Sequence, residues 1–315
     1  MPGPFGDTAW VFYYSRLEID NARSLALAEG VVRAQPNAGA SYFYLGSALQ
    51  QAGRPAEALA AFRRVREIDP LEPSSAQNEI TLLALLRRVD EWQAALTLAQ
   101  AARGGATRST PRATERFRLT GELPATLNAR GDLNEGYWLW LQRRFPEVLK
   151  TADTGLADKT LTDPNRLALL GLKCNALRRL NRVDEAVAVG RLMLPIAEKL
   201  AAAPALDPTA ALRWPPLALL FAGRPDEAIA AGRRYVNGAS PTNQVLERWQ
   251  RERTLAELYA GAGRPRECVE LLAKLLRVPG GLTVPMLRVD PDWDPVRDDP
   301  AFKALLADPK NSAPL

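Results

Sequence analysis

The residues that most often carry enzyme chemistry are scarce in this sequence. It has no histidine and only two cysteines, Cys174 and Cys268, which excludes nucleophiles activated by histidine and imidazole ligands for metals. It also lacks the glycine-rich patterns that bind nucleotide phosphates, GxxxxGKS/T and GxGxxG after a strand. We therefore expect no catalytic residues, no cofactor and no enzymatic activity.

Three alternating acidic residues resemble a metal site more than any other stretch does. Asp290, Asp292 and Asp294 follow the spacing of a calcium-binding loop. However, Pro295 stands at the glycine position of such a loop and Ala301 at its closing glutamate position. The Asp-Pro pairs in this stretch have a local explanation as turns. We therefore expect no metal site here.

Basic residues are numerous and most of them are arginine. The net charge is +5, and seven of the 41 basic residues are lysine. Arginine pairs with carboxylates and phosphates through parallel hydrogen bonds, which favours an acidic partner. The alternative is that arginines on helix exteriors keep the protein soluble. Because the basic residues alternate with 36 acidic ones, no basic stripe predicts a nucleic-acid surface.

Four short segments repeat along the chain and predict helical hairpins. They read GRPAEA from Gly53, NRVDEA from Asn181, GRPDEA from Gly223 and GRPREC from Gly263. Each stands between amphipathic stretches rich in Leu and Ala, a composition that favours helices over strands. Glycine permits the left-handed backbone that ends one helix, and proline with an acidic residue suits the start of the next. The pattern predicts an all-α protein of stacked helix pairs.

The segment SYFYLGSALQQAGRPAEALAAFRRVREIDP resembles the tetratricopeptide repeat (TPR), a 34-residue helix–turn–helix unit. Gly46 and Ala58 stand at its two small positions, where the helices cross closely, and Phe62 and Pro70 stand at its packing and stop positions. The resemblance implies a right-handed superhelical α-solenoid of about seven helix pairs with a C-terminal cap. It also places both cysteines at small positions, where buried packing is expected.

Breaks in the pattern indicate the domain organisation. Residues 103–124 are rich in Gly, Thr, Arg and Pro, and we expect an extra short helix or a loop there. Pro215 and Pro216 fall within a predicted helix and should kink it or delay its start. We therefore expect an N-terminal TPR subarray at 1–102, an irregular insertion at 103–124, middle helix pairs at 125–203, a C-terminal subarray at 204–282 and an Asp-Pro-rich cap at 283–315.

The stretch LRVDPDWDPVRDDPAFKALL, from Leu287 to Leu306, resembles the closing segment of TPR regions in bacterial signalling proteins. In those proteins the array is often joined to a kinase, an adenylate cyclase or a DNA-binding effector domain. Asp299 before Pro300 predicts the start of a short helix, with Phe302 and Leu305 on its apolar side. Such a helix would cap the end of the solenoid.

The TPR resemblance also implies a binding surface, because these arrays usually bind ligands in a concave groove lined by the first helix of each pair. The matching positions hold aromatic residues, arginines and a few other polar residues: Tyr13, Arg16, Phe43, Ser47, Gln50, Arg87, Arg88, Tyr137, Trp140, Asn175, Arg178, Arg179, Arg213, Arg253 and Glu257. Aromatic residues and arginine are frequent at interface hot spots, and arginines suit acidic peptides. The alternative is that several of them are solvated or pack between repeats. A chaperone-binding clamp needs Lys and Asn where Phe43 and Ser47 stand, so chaperone binding is not expected.

These features predict a non-catalytic scaffold that binds a protein or peptide partner, with an acidic one favoured. Two alternatives stay open: the regulatory half of a bacterial signalling protein without its effector domain, and a self-associating structural array. No apolar stretch reaches the roughly 18 residues of a membrane span, no signal-peptide pattern is visible, and the cysteine content fits a reducing compartment. We expect a cytoplasmic protein without membrane or nucleic-acid partners.

Overall fold

The chain is helical throughout the part that the structure describes. This structure is a computed structural model, and it describes residues 20–70, 72–101, 113–123, 135–203, 211–238 and 244–315. Within these ranges no strand occurs, and the protein is an all-α solenoid, as predicted. The α-helices are α1 (Asn21–Ala34), α2 (Gly39–Gln51), α3 (Pro55–Ile68), α4 (Pro73–Leu85), α5 (Val89–Ala101), α6 (Ala113–Thr120), α7 (Glu135–Leu141), α8 (Phe145–Leu156), α9 (Asp163–Arg179), α10 (Val183–Ala202), α11 (Trp214–Phe221), α12 (Pro225–Asn237), α13 (Gln244–Gly261), α14 (Pro265–Leu275), α15 (Val284–Val289) and α16 (Pro300–Ala307). Two 3-10 helices cover Pro291–Val296 and Pro309–Asn311.

Consecutive helices form the predicted pairs. In the described ranges six pairs are complete: α2–α3, α4–α5, α7–α8, α9–α10, α11–α12 and α13–α14. Helix α1 coincides with the second helix of the first predicted copy, whose first helix falls outside the described residues. Neighbouring pairs stack through α3 on α4, α8 on α9, α10 on α11 and α12 on α13. This nearest-neighbour stacking is what builds a solenoid core.

Small residues stand where the helices approach most closely. Gly46 of α2 faces the ring of Phe62 on α3, and a Cβ at Gly46 would lie 2.9 Å from ring atoms. Gly190 of α10 lies against the end of α11, where a Cβ would be 2.3 Å from the main-chain carbon of Phe221. Cys174 and Cys268 are both buried, as their small positions predict.

Each complete pair turns through one residue with a left-handed backbone. Glycine fills this position in three of the described pairs, with φ of 73° at Gly53, 78° at Gly223 and 70° at Gly263. The other three pairs have Arg87, Arg143 and Asn181, with φ of 56°, 60° and 60°. A left-handed backbone disfavours a residue with a Cβ by about 1–2 kcal/mol. The side chains of Arg87 and Arg143 make long-range contacts, described below, that account for their presence.

An arginine follows each left-handed residue and pairs with a glutamate three positions later. The six pairs, with N–O distances from 2.5 to 3.7 Å, are Arg54–Glu57, Arg88–Glu91, Arg144–Glu147, Arg182–Glu185, Arg224–Glu227 and Arg264–Glu267. They place a carboxylate in the first turn of each second helix, where it complements the helix dipole. Because these side chains are solvated, each pair adds little stability. Part of the arginine content is therefore a repeated feature of the helix exteriors.

The two predicted irregularities are both visible. Helix α6 lies within residues 103–124 and packs on α4 and α15, so the insertion contains the extra short helix that was one of two expectations. Helix α11 begins at Trp214 with Pro215 and Pro216 in its first turn, where proline needs no hydrogen-bonded amide. Residues 211 and 212 are also helical and Arg213 is a turn, so the prolines stand where the helix is interrupted, which is neither a simple late start nor a kink within a continuous helix. The domain limits given above stay predictions.

The C-terminal segment (residues 283–315) is a series of four short helices, the first capped by Thr283 and the other three by an aspartate. Asp290, Asp299 and Asp308 each precede a proline and accept a hydrogen bond from the amide two residues later, at 3.0, 2.8 and 2.9 Å. This is the local role expected of the Asp-Pro pairs. Trp293 and Phe302 are fully buried in the core that α9 to α14 share. The segment packs on α14 at the end of the solenoid. It also contacts α13 and the side chains of Tyr137 and Trp140 on α7, and we call the surface that α7, α9 and α13 present to it the inner face.

Candidate functional site

Asp290 of the C-terminal segment occupies part of the predicted groove. Its carboxylate accepts hydrogen bonds from Tyr137 Oη and Trp140 Nε1 of α7, both at 3.3 Å. The Arg253 guanidinium of α13 lies 4.0 Å from the same carboxylate. Two aromatic side chains and one arginine of the inner face therefore surround a carboxylate of the chain itself.

The next residues of the segment bind two further arginines. Asp294 accepts two hydrogen bonds from Arg143, at 2.7 and 2.8 Å. The main-chain carbonyl of Pro291 accepts one from Arg179 Nη2 at 2.7 Å. The inner face of α7 and α9 therefore binds the Asp-Pro-Asp-Trp-Asp stretch through carboxylates and a main-chain carbonyl.

Arg87 is not available as a groove residue, which corrects its assignment to the binding surface. Its side chain is buried, and its guanidinium donates hydrogen bonds to the main-chain carbonyls of Leu276 and Asn311. The amide of Leu315 also donates to the carbonyl of Leu86, at 3.0 Å. Burial lowers the pKa of Arg87. Arg87 thus joins the end of α4 to the C-terminal half of the protein.

The other described residues of the predicted N-terminal set, Phe43, Ser47, Gln50 and Arg88, lie outside the cavity described next. Phe43 packs on Phe62, with ring centroids 5.6 Å apart, and Ser47 donates a hydrogen bond to the Phe43 carbonyl at 3.0 Å. Arg88 lies 3.6 Å from Glu91. Phe43 therefore packs between helices, which was the alternative to a place in the binding groove. Gln50 is half-buried away from the cavity described next, and Tyr13 and Arg16 lie outside the described residues.

The predicted residues of the C-terminal half surround one cavity, which we call the inner cavity. It has a volume of about 690 Å³, which is in the range of pockets that enclose a small ligand or a few side chains. Helices α6, α7, α9, α11 and α13 contribute to its walls, and the C-terminal segment closes one side. Eight predicted residues line it: Tyr137, Trp140, Asn175, Arg178, Arg179, Arg213, Arg253 and Glu257.

Three arginines of the inner cavity have no acidic partner. In the described part of the chain, no carboxylate oxygen lies within 4.0 Å of the guanidinium of Arg118, Arg178 or Arg213. Arg178 donates to the main-chain carbonyl of Gly261 at 2.8 Å, which leaves its charge uncompensated. Burial lowers the pKa of Arg118 and of Arg178, because it disfavours the charged form. Arg118 and Arg178 keep their charge at neutral pH all the same, since arginine titrates far above it.

The acidic residues of the inner cavity do not neutralise this charge. Glu257 accepts a hydrogen bond from Arg253 at 3.0 Å, so that these two charges cancel. Burial raises the pKa of Asp292 well above its usual range, and the neighbouring Asp290 and Glu257 carboxylates raise it further. A carboxyl with a raised pKa carries less negative charge. The inner cavity is therefore cationic, and it can bind anionic groups.

The described residues offer no nucleophile or metal ligand set for other chemistry. Both cysteines are buried, and burial raises the pKa of each thiol to about 12, so neither forms a reactive thiolate. Among the described residues no group of His, Cys, Asp and Glu is arranged to hold a metal ion. Asp290 and Asp294, considered above as calcium ligands, instead bind side chains of α7 and of the turn after it. None of the described helices has the length and apolar character needed to cross a bilayer.

Sequence reasoning did not assign five residues that line the inner cavity or bind the C-terminal segment beside it. They are Arg118, Arg143, Trp214, Trp249 and Asp292. The turn pattern could have revealed Arg143, because it stands where three other pairs have glycine. Arg118 lies on α6, outside the repeat pattern, and nothing in the sequence says which way it faces. Asp292 belongs to the alternating acidic stretch, but its place in the cavity wall depends on the path of the C-terminal segment.

Comparisons with known proteins agree with this architecture. A tetratricopeptide repeat family model matches residues 20–73, so the solenoid contains a recognisable repeat of this family. Among solved structures, the chain is similar to one described as Naa15/Naa10 bound to HypK-THB, at 15% identity and a TM-score of 0.27, over 87% of this chain and 37% of that one. It is also similar to the TPR domain of P58(IPK), at 10% identity and a TM-score of 0.30, over 99% and 98% of the two chains. No curated protein matches the sequence. With identities of 10–15% and TM-scores of 0.27 and 0.30, neither likeness bears on the function of this chain.

Proposed function

We propose that this protein is a non-catalytic interaction scaffold that binds an acidic segment of a partner protein in the inner cavity. The observation that carries the proposal is a set of three arginines around one cavity, Arg118, Arg178 and Arg213, none of which forms an ion pair with a described carboxylate. Burial disfavours the charge of Arg118 and Arg178, and an anionic ligand beside them would offset that cost. Arginine forks also fix the position of carboxylates through paired hydrogen bonds.

The contacts of the C-terminal segment support the proposal, because they show how this face of the protein binds carboxylates. The inner face binds its Asp290 and Asp294 carboxylates through Tyr137, Trp140 and Arg143. The groups that line the inner cavity are of the same kind, arginines beside aromatic rings. An acidic segment of a partner would extend this pattern of recognition into the space that the C-terminal segment leaves open.

Displacement of the C-terminal segment by a partner is not part of the proposal. Trp293, Phe302 and Leu287 are all fully buried in the shared core. Removing one large buried side chain from a core costs about 3–5 kcal/mol, so releasing all three would cost more than a typical interface supplies. The partner therefore binds beside the C-terminal segment.

The wider setting of the protein remains a prediction. The contacts of Asp290 and Asp294 give the Asp-Pro stretch a structural role that requires no effector domain. The signalling alternative, the self-associating alternative and the cytoplasmic location rest on the sequence features described above. Sedimentation of the purified protein at several concentrations tests self-association directly, since a constant monomer mass would exclude it.

Charge reversal at Arg213 tests the proposal with little risk to the fold. Arg213 is exposed, lies with its guanidinium 5.2 Å from the ring centre of Trp214 and makes no hydrogen bond within the described residues. Arg178 and Arg179 are poorer choices because both hold main-chain carbonyls. The matched control is Arg191→Glu, at an exposed arginine of α10 that is not part of the inner cavity.

The experiment is a quantitative capture of proteins from the native lysate on three immobilised variants. We expect the wild type and Arg191→Glu to retain the same protein. We expect Arg213→Glu to lose this protein, because replacing a positive interface charge by a negative one weakens binding by at least about tenfold. Equal retention by all three variants would show that the inner cavity is not the binding site.

A further inference from the structure

We infer that the segment bound in the inner cavity carries an aromatic side chain beside two or more carboxylates. This inference rests on the proposed function and narrows its ligand. The three uncompensated arginines stand on or beside three different helices, α6, α9 and α11. A single carboxylate balances one such charge, so a ligand that spans the cavity needs several anionic groups.

The aromatic walls of the inner cavity supply the second observation. Trp214 and Trp249 are half-buried and line it. The edge of the Trp249 ring that carries Nε1 packs on Gly280, where an added Cβ would be 2.1 Å from ring atoms. The ring is therefore held in place on one side. Aromatic side chains that are fixed in this way bind a second ring with little loss of conformational freedom.

The indole nitrogen of Trp249 is covered by the protein, so Trp249 offers a ligand its ring and not its N–H. Its Nε1 is buried and has no hydrogen-bond partner in the described part of the molecule. The Arg213 guanidinium covers the ring of Trp214 at 5.2 Å, which places a cation and an aromatic ring side by side. A ligand that presents a ring next to a carboxylate matches this pair of groups.

The chain itself contains a segment of this composition on the same face. Asp290 and Asp294 bind polar groups of α7 and the turn after it, and Trp293 between them is fully buried. The carboxylates of this stretch bind the inner face while its ring packs in the hydrophobic core, so a short acidic and aromatic stretch has one precedent beside the cavity. A cavity of about 690 Å³ has room for such a short stretch but not for a folded domain.

Labelled heptapeptide pools with shared degenerate flanks test this inference. The first pool has the core Asp-Pro-Asp-Trp-Asp, the second replaces its Trp by Ser, and the third replaces its three Asp by Asn. Fluorescence anisotropy measures the binding of each pool to the full chain and to its Arg213→Gln and Arg191→Gln variants. Phenyl phosphate, a free aromatic dianion, is titrated as a competitor.

We expect the first pool to bind about tenfold more tightly than the other two, which is the scale of one added aromatic contact. Arg213→Gln should remove this preference, and Arg191→Gln should not. If the first two pools bind equally and both depend on Arg213, the inference fails and the proposed function stands. If no pool binds above the Arg213→Gln background, both fail. Binding of phenyl phosphate as tight as that of the first pool would overturn the assignment to a protein segment.

Discussion

The ion pair between Arg143 and Asp294 should couple the two halves of the protein by about 1 kcal/mol. The pair makes two hydrogen bonds, at 2.7 and 2.8 Å, between residues 151 positions apart. Its side chains are 45% and 18% exposed, so solvent screens it less than an ordinary surface pair. Exposed pairs measure about 0.2–1 kcal/mol, and two-point arginine–carboxylate contacts in drier surroundings are stronger.

A double-mutant cycle with Arg143→Ala and Asp294→Ala isolates this coupling, because Asp294 also contacts Arg297 and each single variant alters more than one contact. Arginine and alanine are similarly strained at the left-handed φ of 60°, so backbone strain cancels. Urea denaturation followed by circular dichroism gives the four free energies of unfolding. The Arg182–Glu185 pair has the same two-point geometry, at 2.6 and 2.7 Å, but it is local and solvated. The coupling energy of the Arg182–Glu185 pair should lie within the experimental error of the cycle. Equal couplings for both pairs would refute the docking of the C-terminal segment on the inner face.

Three further outcomes follow from the packing and charges. Trp293→Ala should lower the free energy of unfolding by about 3–5 kcal/mol in urea denaturation, since Trp293 is fully buried; a loss below about 1 kcal/mol would show that the segment is a detachable lid. Gly190→Ala should destabilise the protein by about 1–3 kcal/mol or more, because its Cβ would be 2.3 Å from backbone. Gly30→Ala should instead stabilise the protein by up to about 1 kcal/mol, because only a flexible side chain lies 3.8 Å from the added Cβ. If thermal unfolding showed that both substitutions stabilise the protein, or that both destabilise it, the packing described here would be contradicted. Burial, and then the nearby carboxylates, raise the pKa of Asp292 in the native state. Above about pH 4 the unfolded state therefore loses a proton from Asp292 that the native state keeps. Stability should therefore fall as pH rises from about 4 through that raised pKa, and Asp292→Asn should flatten this slope in urea denaturation; an unchanged slope would contradict the burial of the carboxyl.

The helix pairs could be predicted from the sequence because their signals are local. A left-handed turn, a proline or acid at the next helix start and small residues at the crossing points all lie within one repeat. Gly53, Gly223 and Gly263 mark three turns directly. The remaining turns were harder to see because Arg87, Arg143 and Asn181 replace the glycine. Two of these replacements are explained only by contacts with the C-terminal segment.

The path of the C-terminal segment could not be predicted in the same way. Asp-Pro turns start short helices wherever they stand, so the sequence indicates where the segment turns and not where it docks. The contacts that place it join distant residues, such as Trp140 with Asp290 and Arg87 with Asn311. Eight of the predicted groove residues line one cavity, but the sequence did not show that the C-terminal segment contacts the same residues, and their role in binding stays a prediction.

Site-specific photocrosslinking tests the binding role of the inner cavity most directly. The substitution Gln250→p-benzoylphenylalanine puts the probe at an exposed position that lines the cavity. Leu192→p-benzoylphenylalanine is the control, at a side chain of α10 that is 63% exposed outside the cavity. We predict a protein adduct from the native lysate at position 250 that is absent at position 192 and is lost when Arg213→Glu is added. An adduct at position 192 alone, or one at position 250 that persists with Arg213→Glu, would contradict the account.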